Sequence, residues 1–291
     1  MRKIKKEKIK TWLVTGASSG VGKELTRQLL EKGYNVIAIS RRKPEFIHEN
    51  VLCLSADVTS IDSIKEVIKQ GIQKFKSIDV LSNNAGCSSY LSLEEESEEE
   101  MRKVMEVNFW GTYNTCKELL PYFRKQYYGT IVNMSSECGI MPRAFGAAYC
   151  SSKFAVEGLT SVLWLETEKF CRVMTVELSY FENTEIGKDK PRGTNYEEYK
   201  SVKIVPTKVN RWYFQNDLTL AVKYIIEAVE NEKIQRRLML GRDIISKIRG
   251  EVKALNKDIN NSYFRAFSCG KIKSNIMGII IKKIYNLVKF R

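Results

Sequence analysis

The sequence predicts an α/β fold, a doubly wound parallel sheet of about seven strands with helices on both faces. Three observations predict it. Short apolar runs alternate along the chain with segments of helical period. The first apolar run leads into the glycine-rich turn TGASSGVG at residues 15–22, and a helix follows the turn. The 291 residues are 43% hydrophobic and contain no internal repeat, so the chain can bury one large core.

Apolar and amphipathic patterns place the elements of the first half of the chain. We predict strands at residues 11–14, 35–40, 51–55 and 78–82, and helices at residues 23–31 and 61–75. Ten residues separate the second strand from the third, so the helix between them is short or missing. The acidic run at residues 92–100 opens a further helix that continues to residue 120, because negative charge favours a helix N-terminus.

The second half continues the alternation. A strand that begins at residue 131 leads to a helix that carries Tyr149 and runs to about residue 169. Strands at residues 172–177 and 238–240 and helices at residues 218–231 and 241–260 follow. The polar segment at about residues 186–215 contains aromatic side chains and is predicted to be a lid over a substrate, with packing onto the domain as the alternative for its aromatics.

Charge and residue counts exclude several classes of function. The net charge is +14, but the excess lies in the first ten residues and after Arg236, so we do not expect nucleic acid as a partner. The seven cysteines form no Cys-x-x-Cys pair and are expected as free thiols in a reducing, cytoplasmic compartment. His48 is the one histidine, so neither a Ser-His-Asp triad nor a metal site is expected. No apolar run approaches the ~20 residues of a membrane-spanning helix.

Three side chains around the fifth strand predict a proton-transfer site. Tyr149 and Lys153 are four residues apart in a helix and so share one face. A phenol has an unperturbed pKa near ~10, and a neighbouring ammonium lowers it by stabilising the anion. Ser136, at the carboxyl end of the strand, is placed to donate a hydrogen bond to the same carbonyl oxygen that Tyr149 protonates. The alternative is an ordinary amphipathic pair and a turn-forming serine.

The glycine-rich turn predicts a nucleotide site. Its glycines let the backbone approach a pyrophosphate closely, and the free N–H groups of the following helix favour an anion. The binding residues predicted in this turn are Gly16, Ser18, Ser19, Gly20, Val21 and Gly22. A three-glycine pattern alone indicates only a tight turn, and its position between a strand and a helix is what favours the nucleotide site.

The end of the second strand predicts the type of cofactor. An acidic residue at this place binds the ribose 2′-hydroxyl of NAD, whereas arginine accommodates the 2′-phosphate of NADP. Ser40 occupies about the place of the acid, and Arg41 and Arg42 follow it. We therefore predict NADP(H), with NAD(H) as the alternative. The alternative for the two arginines is solvation of the strand end.

In its motifs and their order the sequence resembles the short-chain dehydrogenase/reductase family across residues 10–241. The matching motifs are TGASSGVG, DVT at residues 57–59, NNAG at residues 83–86, VNFWGT around Asn108, NMSS ending at Ser136 and YCSSK at residues 149–153. The resemblance implies a Rossmann-type fold, hydride transfer between a nicotinamide cofactor and a small-molecule carbonyl/alcohol pair, and a homodimer or homotetramer. It also implies that Tyr149 is the acid/base and that Lys153 binds the nicotinamide ribose.

The resemblance places further residues near the cofactor. Asp57 and Val58 are expected to flank the adenine, with a helix N-terminal role as the alternative for Asp57. Asn84, Ala85 and Gly86 are expected in a turn that passes near the cofactor. These assignments follow the DVT and NNAG motifs.

Two other assignments concern the catalytic end of the cofactor. Asn108 is a poor helix former within a predicted helix. The resemblance implies that it distorts this helix and holds a water that links Lys153 to solvent. Thr184 is expected near the nicotinamide amide. Where the family commonly has Pro-Gly, this sequence has Ser179 and Tyr180, or Leu178 and Ser179 with one residue inserted, so it departs from the family pattern there.

The resemblance and the charge pattern together suggest three parts of the chain. These are a basic N-terminal arm at residues 1–9, an NAD(P)-binding catalytic domain at residues 10–260 and a basic amphipathic tail at residues 261–291. The tail either docks on protein or makes peripheral contact with an anionic membrane. Two alternatives to the enzyme are an NADP(H) sensor without turnover and a membrane-surface protein.

Overall fold

The computed structural model describes residues 11–181, 184, 194–202, 216–231, 233 and 235–268. The predicted N-terminal arm, most of the predicted lid and the tail from residue 269 lie outside these residues. Seven parallel strands form one sheet in the order β3-β2-β1-β4-β5-β6-β7, which confirms the predicted fold class. The strands are β1 Thr11–Thr15, β2 Asn35–Ser40, β3 Val51–Ser55, β4 Val80–Asn83, β5 Thr130–Met134, β6 Arg172–Leu178 and β7 Arg237–Leu240.

Helices connect most of these strands. They are α1 Gly20–Glu31, α2 Ile61–Phe75, α3 Glu98–Met105, α4 Gly111–Gln126, α5 Ala147–Glu166, α6 Leu218–Glu230 and α7 Ile244–Ser268. A π-helical segment, Glu106–Trp110, joins α3 to α4. Residues 41–50, all of which the structure describes, contain no helix, so the helix between β2 and β3, predicted to be short or missing, is missing.

The sheet separates two apolar cores. Along β1, Trp12 and Val14 pack in the core that includes residues of α1 and α6, whereas Leu13 packs in the core that includes residues of α2, α4 and α5. Successive side chains of a strand point to opposite faces, so both faces of β1 are apolar when helices cover both. This arrangement leaves the carboxyl ends of the strands as the edge where loops with polar side chains meet.

Several predicted boundaries differ from the structure. The acidic run does not open a helix at residue 92; α3 begins at Glu98, because Ser97 caps it by accepting a hydrogen bond from the Glu100 N–H at 3.1 Å. The first helix begins at Gly20 rather than at residue 23. The last helix begins at Ile244, because Gly241 has a φ of +130° that no helix contains.

The chain divides into two compact units, with the boundary between Ile248 and Arg249, within α7. This boundary differs from the predicted ones, and the division into an arm, a catalytic domain and a tail stays a prediction. Among the helices of the described residues, none has both the length and the apolar character needed to cross a bilayer.

Candidate active site

The glycine-rich turn lies between β1 and α1 and is bound to the loop after β4. Asn84 donates a hydrogen bond from Nδ2 to the Thr15 carbonyl at 3.0 Å, and the Ala85 N–H donates to Thr15 Oγ1 at 2.9 Å. Gly16 has a φ of +67°, and a β-carbon at Gly22 would overlap both the Gly16 carbonyl and the Asn84 amide. The structure thus brings together the predicted residues of the two motifs, with Gly86 exposed just after them.

The first turn of α1 is open to a ligand. Its N-cap residue, Ser19, makes no side-chain hydrogen bond to the helix, so no Ser19 side-chain cap competes for the N–H groups at this end. Val21 is buried beneath the turn. Thr184 packs against the turn at Gly20, where a β-carbon would lie 3.5 Å from the Thr184 Cα atom. Thr184 thus lies beside the turn, and its expected place near the nicotinamide amide stays a prediction.

A cavity of about 280 Å³ adjoins the same turn. Its lining residues are Ala17, Ser18, Lys23, Arg42, Lys43, Pro44, Glu45 and Phe46. Three of these side chains are cationic and one is acidic, so the cavity fits an anionic group such as a phosphate. Sequence reasoning missed Lys23 and Lys43, although Lys43 directly follows the two arginines. Arg41, the other predicted arginine, does not line this cavity, and its carbonyl accepts a hydrogen bond from Ser55 Oγ at 2.8 Å.

Asp57 and Val58 lie at the carboxyl end of β3. The Asp57 carboxylate accepts hydrogen bonds from the N–H and the hydroxyl of Thr59, both at 2.9 Å. The N-cap of α2 is Ser60, so the alternative role of Asp57 as the helix-capping residue is wrong. Val58 is 7% exposed and packs against Gly111, where a β-carbon would approach its Cγ2 atom to 2.6 Å.

Asn108 lies in the π-helical segment, and its side chain is buried and fully bonded. Nδ2 donates to the Cys87 carbonyl at 2.9 Å and to Ser152 Oγ at 2.8 Å, and Oδ1 accepts from the Cys87 N–H at 2.8 Å. A π-helical turn is a local distortion that is frequent at functional sites. The distortion expected at Asn108 is therefore present, and the side chain ties the loop after β4 to the helix α5.

Ser136, Tyr149 and Lys153 come together at the carboxyl end of β5. Lys153 donates from Nζ to the carbonyl of Met134, the last residue of β5, at 2.8 Å, and Nζ lies 5.7 Å from the centroid of the Tyr149 ring. Ser136 lies close enough to Tyr149 for its hydroxyl to act on the pKa of the phenol, which it lowers. Tyr149 is only 5% exposed and Lys153 4%, so neither is the surface residue that an ordinary amphipathic pair would supply.

Burial dominates the electrostatics of this group. It raises the pKa of Tyr149 well above its ordinary value, with nearby Tyr90 and Cys138 adding to the increase and Ser136 and Arg143 opposing it. The predicted lowering of the Tyr149 pKa is therefore wrong for this structure, because desolvation penalises the phenolate more than its neighbours stabilise it. Burial also lowers the pKa of Lys153 to about 8.

The described part of the predicted lid, residues 194–202, is held by the acidic run. The Asn195 backbone N–H and Nδ2 both donate to Glu95 Oε1 at 2.8 Å, and the Tyr199 hydroxyl donates to Glu94 Oε1 at 3.0 Å. The Tyr199 ring also contacts Phe145, with centroids 6.4 Å apart, on the loop that precedes α5. Glu94 and Glu95 therefore bind the described part of the predicted lid as well as preceding the helix α3.

Sequence reasoning missed several residues beside Tyr149. Tyr90 has its ring centroid 6.0 Å from that of Tyr149. Ser152 donates a hydrogen bond to the Tyr149 carbonyl at 2.7 Å. Glu137, which directly follows Ser136, is fully buried and paired with Arg143 and Lys247. In the sequence, only the position of Glu137 next to Ser136 could have indicated a role at the site, because Lys247 is 110 residues away.

The arrangement can move a proton to or from a carbonyl oxygen. Two hydroxyl groups, those of Ser136 and Tyr149, lie near each other, and the Lys153 ammonium lies 5.7 Å from the centroid of the phenol ring. Two such donors polarise a carbonyl, and the cation favours the anion that forms when the phenol gives up its proton.

Comparisons with known proteins agree with this geometry. The profile of the short chain dehydrogenase family matches residues 10–195. The 3-ketodihydrosphingosine reductase of Bacteroides thetaiotaomicron is 43% identical over 158 residues, which are 54% of this chain and 58% of the reductase. The 3-oxoacyl-acyl-carrier-protein reductase FabG of Staphylococcus epidermidis is 37% identical over 161 residues, 52% of this chain and 66% of FabG. The matched part is thus less than two thirds of the length of either relative.

Solved structures resemble the chain over a larger part of its length. A short-chain dehydrogenase from Streptomyces avermitilis superposes with a TM-score of 0.80 and 28% identity, covering 91% of this chain and all of that one. The protein ElxO, solved with NADP bound, superposes with a TM-score of 0.69 and 27% identity, covering 81% of this chain and 99% of ElxO.

Proposed function

This chain belongs to the short chain dehydrogenase family, and we propose that it transfers hydride between NADP(H) and a carbonyl/alcohol pair, with Tyr149 as the acid/base. One observation carries the proposal. Tyr149 and Lys153 are buried on one helix beside Ser136, at the sheet edge that also carries the glycine-rich turn. Burying a phenol, a hydroxyl and an ammonium near one another is costly for stability alone, whereas proton transfer requires all three.

The residues around the glycine-rich turn fit a phosphorylated nucleotide. The turn and the uncapped first turn of α1 would hold the pyrophosphate, and Arg42 in the cation-lined cavity would hold a 2′-phosphate. Lys153 would contact the nicotinamide ribose, as the family resemblance implies. When bound, the cofactor supplies or accepts the hydride, and the protein orients it. The binding of NADP by ElxO, which this chain resembles in structure, supports this choice.

In the direction of reduction, the Tyr149 hydroxyl gives its proton to the carbonyl oxygen, and Ser136 donates a hydrogen bond to the same oxygen. The raised pKa of Tyr149 keeps the phenol in its acid form through the neutral range, which is the form that reduction requires. Lys153 is an ammonium below about pH 8 and favours the phenolate that proton transfer leaves behind.

Asn108 acts on this group through Ser152 and the loop at Cys87. Its side-chain amide has both hydrogens engaged, so it holds α5 at a fixed distance from the π-helical segment. The resemblance implies a water path from Lys153 to solvent. This path would then pass along the backbone of Asn108 rather than its side-chain amide.

We propose a 3-oxo compound with an apolar chain as the substrate class. The names of the two reductases similar to this chain specify a 3-keto and a 3-oxo compound. In this chain, the aromatic rings of Tyr90, Phe145, Tyr196 and Tyr199 lie on the loops near Tyr149 and on the described part of the lid. Aromatic side chains at the mouth of a site favour an apolar substrate.

We propose a homodimer or homotetramer through the outer faces of the helical segments that carry Asn108 and Tyr149. Trp110, Phe154 and Leu165 are 43%, 44% and 73% exposed on these segments, and exposed large apolar side chains favour an interface. The six described cysteines are free thiols, which supports a reducing, cytoplasmic compartment.

The test compares the wild-type chain with Tyr149→Phe in NADPH oxidation with 3-oxo esters and with a wider panel of aldehydes and ketones. The variant keeps the ring and its packing and removes the proton donor, so kcat is expected to fall by about 10²-fold or more while NADPH binding is retained. Binding of NADPH by the wild-type chain without turnover of any carbonyl would instead favour the sensor, and equal kcat values would remove Tyr149 from the mechanism.

A further inference from the structure

A charged side chain directly follows Ser136 and is completely buried. Glu137 lies in the short 3-10 turn Glu137–Gly139 and has no exposed surface. A buried carboxylate is costly unless cations and hydrogen-bond donors surround it. The contacts of Glu137 therefore show which segments of the chain its carboxylate connects.

Two cations and a hydroxyl surround the Glu137 carboxylate. Lys247 approaches its oxygens to 3.1 and 3.3 Å, and the Arg143 guanidinium pairs with Oε1. Ser179 Oγ lies 3.1 Å from Glu137 Oε2 and 2.7 Å from Asp243 Oδ1, so the single hydroxyl proton is shared between two carboxylates. Lys247 also pairs with Asp243 at 2.5 Å. Two acids thus balance two cations in a network that we call the Glu137 cluster: Glu137, Arg143, Ser179, Asp243 and Lys247.

Two side-chain contacts of Glu137 end on segments that place part of the candidate active site. Arg143 lies on the loop that leads from Ser136 to Tyr149. Ser179 directly follows Leu178, whose carbonyl is the acceptor 3.4 Å from Ser136 Oγ. The backbone of the turn is bonded as well, because the Glu137 carbonyl accepts from the N–H groups of residues 140 and 141 at 3.1 and 2.8 Å.

We propose that Glu137 is a positioning residue for the reaction: its carboxylate holds Ser136 and the loop before Tyr149 against Ser179 and the start of the last helix. Glu137 does not touch the reacting atoms in this role. It restricts the Ser136 turn, and a small displacement of a hydrogen-bond donor from a carbonyl oxygen lowers the rate of the chemical step. The inference rests on the proposed function for its kinetic consequence, whereas the structural restraint does not depend on it.

The Glu137 cluster also accounts for the departure of this sequence from Pro-Gly after β6. Ser179 supplies the hydroxyl that bridges Glu137 and Asp243. A β-carbon at Gly241 would overlap the side chain of Ser179, so the chain before α7 is packed directly on it. Proline at position 179 would supply no hydroxyl and would lack the N–H that donates to the Leu240 carbonyl at 3.0 Å.

The test compares Glu137→Gln with a matched control, Glu177→Gln. Glu177 is also a fully buried carboxylate, on β6, and it pairs with Arg237 rather than with the Ser136 turn. For each full-length variant, kcat and KM for a carbonyl substrate and for NADPH are measured over a pH series. Hydrogen exchange of the amides at residues 139–141 is measured by mass spectrometry on the same preparations.

For Glu137→Gln we expect kcat to fall about 10- to 100-fold, the KM for NADPH to change by less than about 3-fold, and amide exchange at residues 139–141 to become at least about 10-fold faster. Glu177→Gln should leave both readouts near wild type. Lys247→Gln, which leaves Glu137 paired with Arg143, should give a smaller change in the same direction. If Glu137→Gln yields no folded protein, Lys247→Gln replaces it in the comparison.

Two results would overturn the proposal. One is a Glu137→Gln variant whose exchange at residues 139–141 equals that of Glu177→Gln. The other is a variant with faster exchange that keeps the wild-type kcat. A wild-type chain that turns over no carbonyl would count against the proposed function alone, because the exchange comparison still decides whether Glu137 restrains the turn.

Discussion

Asn108 Nδ2 donates a hydrogen bond to Ser152 Oγ at 2.8 Å, and Ser152 Oγ in turn donates to the carbonyl of Tyr149 at 2.7 Å. The amide in the π-helical segment is thus connected to the backbone of the helix that carries Tyr149 and Lys153. The same amide is bonded at both ends of its dipole to the backbone of Cys87. One buried side chain therefore fixes two loops and one helix of the site.

Removing this amide should destabilise the protein more than removing its partner. Asn108→Ala leaves the buried N–H and carbonyl of Cys87 and the Ser152 hydroxyl without their partner, so the free energy of unfolding should fall by about 2–4 kcal/mol. Ser152→Ala removes one donor and one acceptor and should cost about 1 kcal/mol. Urea denaturation of both variants checks the difference, and equal losses would contradict the bridging role.

Arg42 should discriminate between the two nicotinamide cofactors. It lines the cavity beside the glycine-rich turn together with Lys23 and Lys43. Arg42→Ala removes a bidentate partner for a 2′-phosphate and should raise the KM for NADPH about 10-fold or more, with little change for NADH. Arg41→Ala is the matched control, because Arg41 directly precedes Arg42 and does not line this cavity. A similar effect of both variants on NADPH and NADH would contradict the assignment.

The rate of carbonyl reduction should depend on the charge of Lys153. Burial lowers the pKa of this ammonium to about 8 from its ordinary value of 10.5. Lys153 is therefore charged below about pH 8, and kcat/KM for reduction should fall as the pH rises through that value. Steady-state rates from pH 6 to pH 10 measure this decrease. In Lys153→Met the rate should be low throughout and should not fall further with pH. A decrease that persists in the variant would belong to another titrating group.

Glu177 should make stability depend on pH in the opposite sense from most carboxylates. Burial, with the nearby Glu157 carboxylate, raises the pKa of Glu177 to about 7 from 4.5. The folded state therefore holds a proton that the unfolded state releases, so this contribution is complete below about pH 4.5 and is lost as the pH rises through about 7. Between these limits the wild-type free energy of unfolding should fall by ~1–3 kcal/mol more than that of Glu177→Gln. Denaturant titrations across this range measure the two slopes, and parallel slopes would show that Glu177 is not the group.

Local patterns were enough to predict the parts of the site that depend on neighbouring residues. The turn from β1 to α1 follows from its glycines, and the shared face of Tyr149 and Lys153 follows from helical spacing. The seven strands follow from short, mostly apolar runs, because both faces of this sheet are covered by helices and pack in apolar cores.

Other features depend on residues that are distant in sequence. Glu137 reads as a polar residue of a turn, yet its partners Ser179 and Lys247 lie 42 and 110 residues further along. Glu95 reads as one of many acids before a helix, yet it binds Asn195, which is 100 residues away. The raised pKa of Tyr149 follows from burial, which depends on the packing of loops from several strands. No pattern within a short window contains these contacts.

The Glu137 cluster has a consequence for the order in which the chain leaves the ribosome. When Ser136 and Glu137 emerge, Asp243 and Lys247 have not yet been synthesised, and the carboxylate has only Arg143 nearby in sequence to neutralise it. The Glu137 carboxylate therefore gains its full set of partners only once the start of α7 has been translated. Until then, the Ser136 turn lacks contacts that hold it in the folded chain.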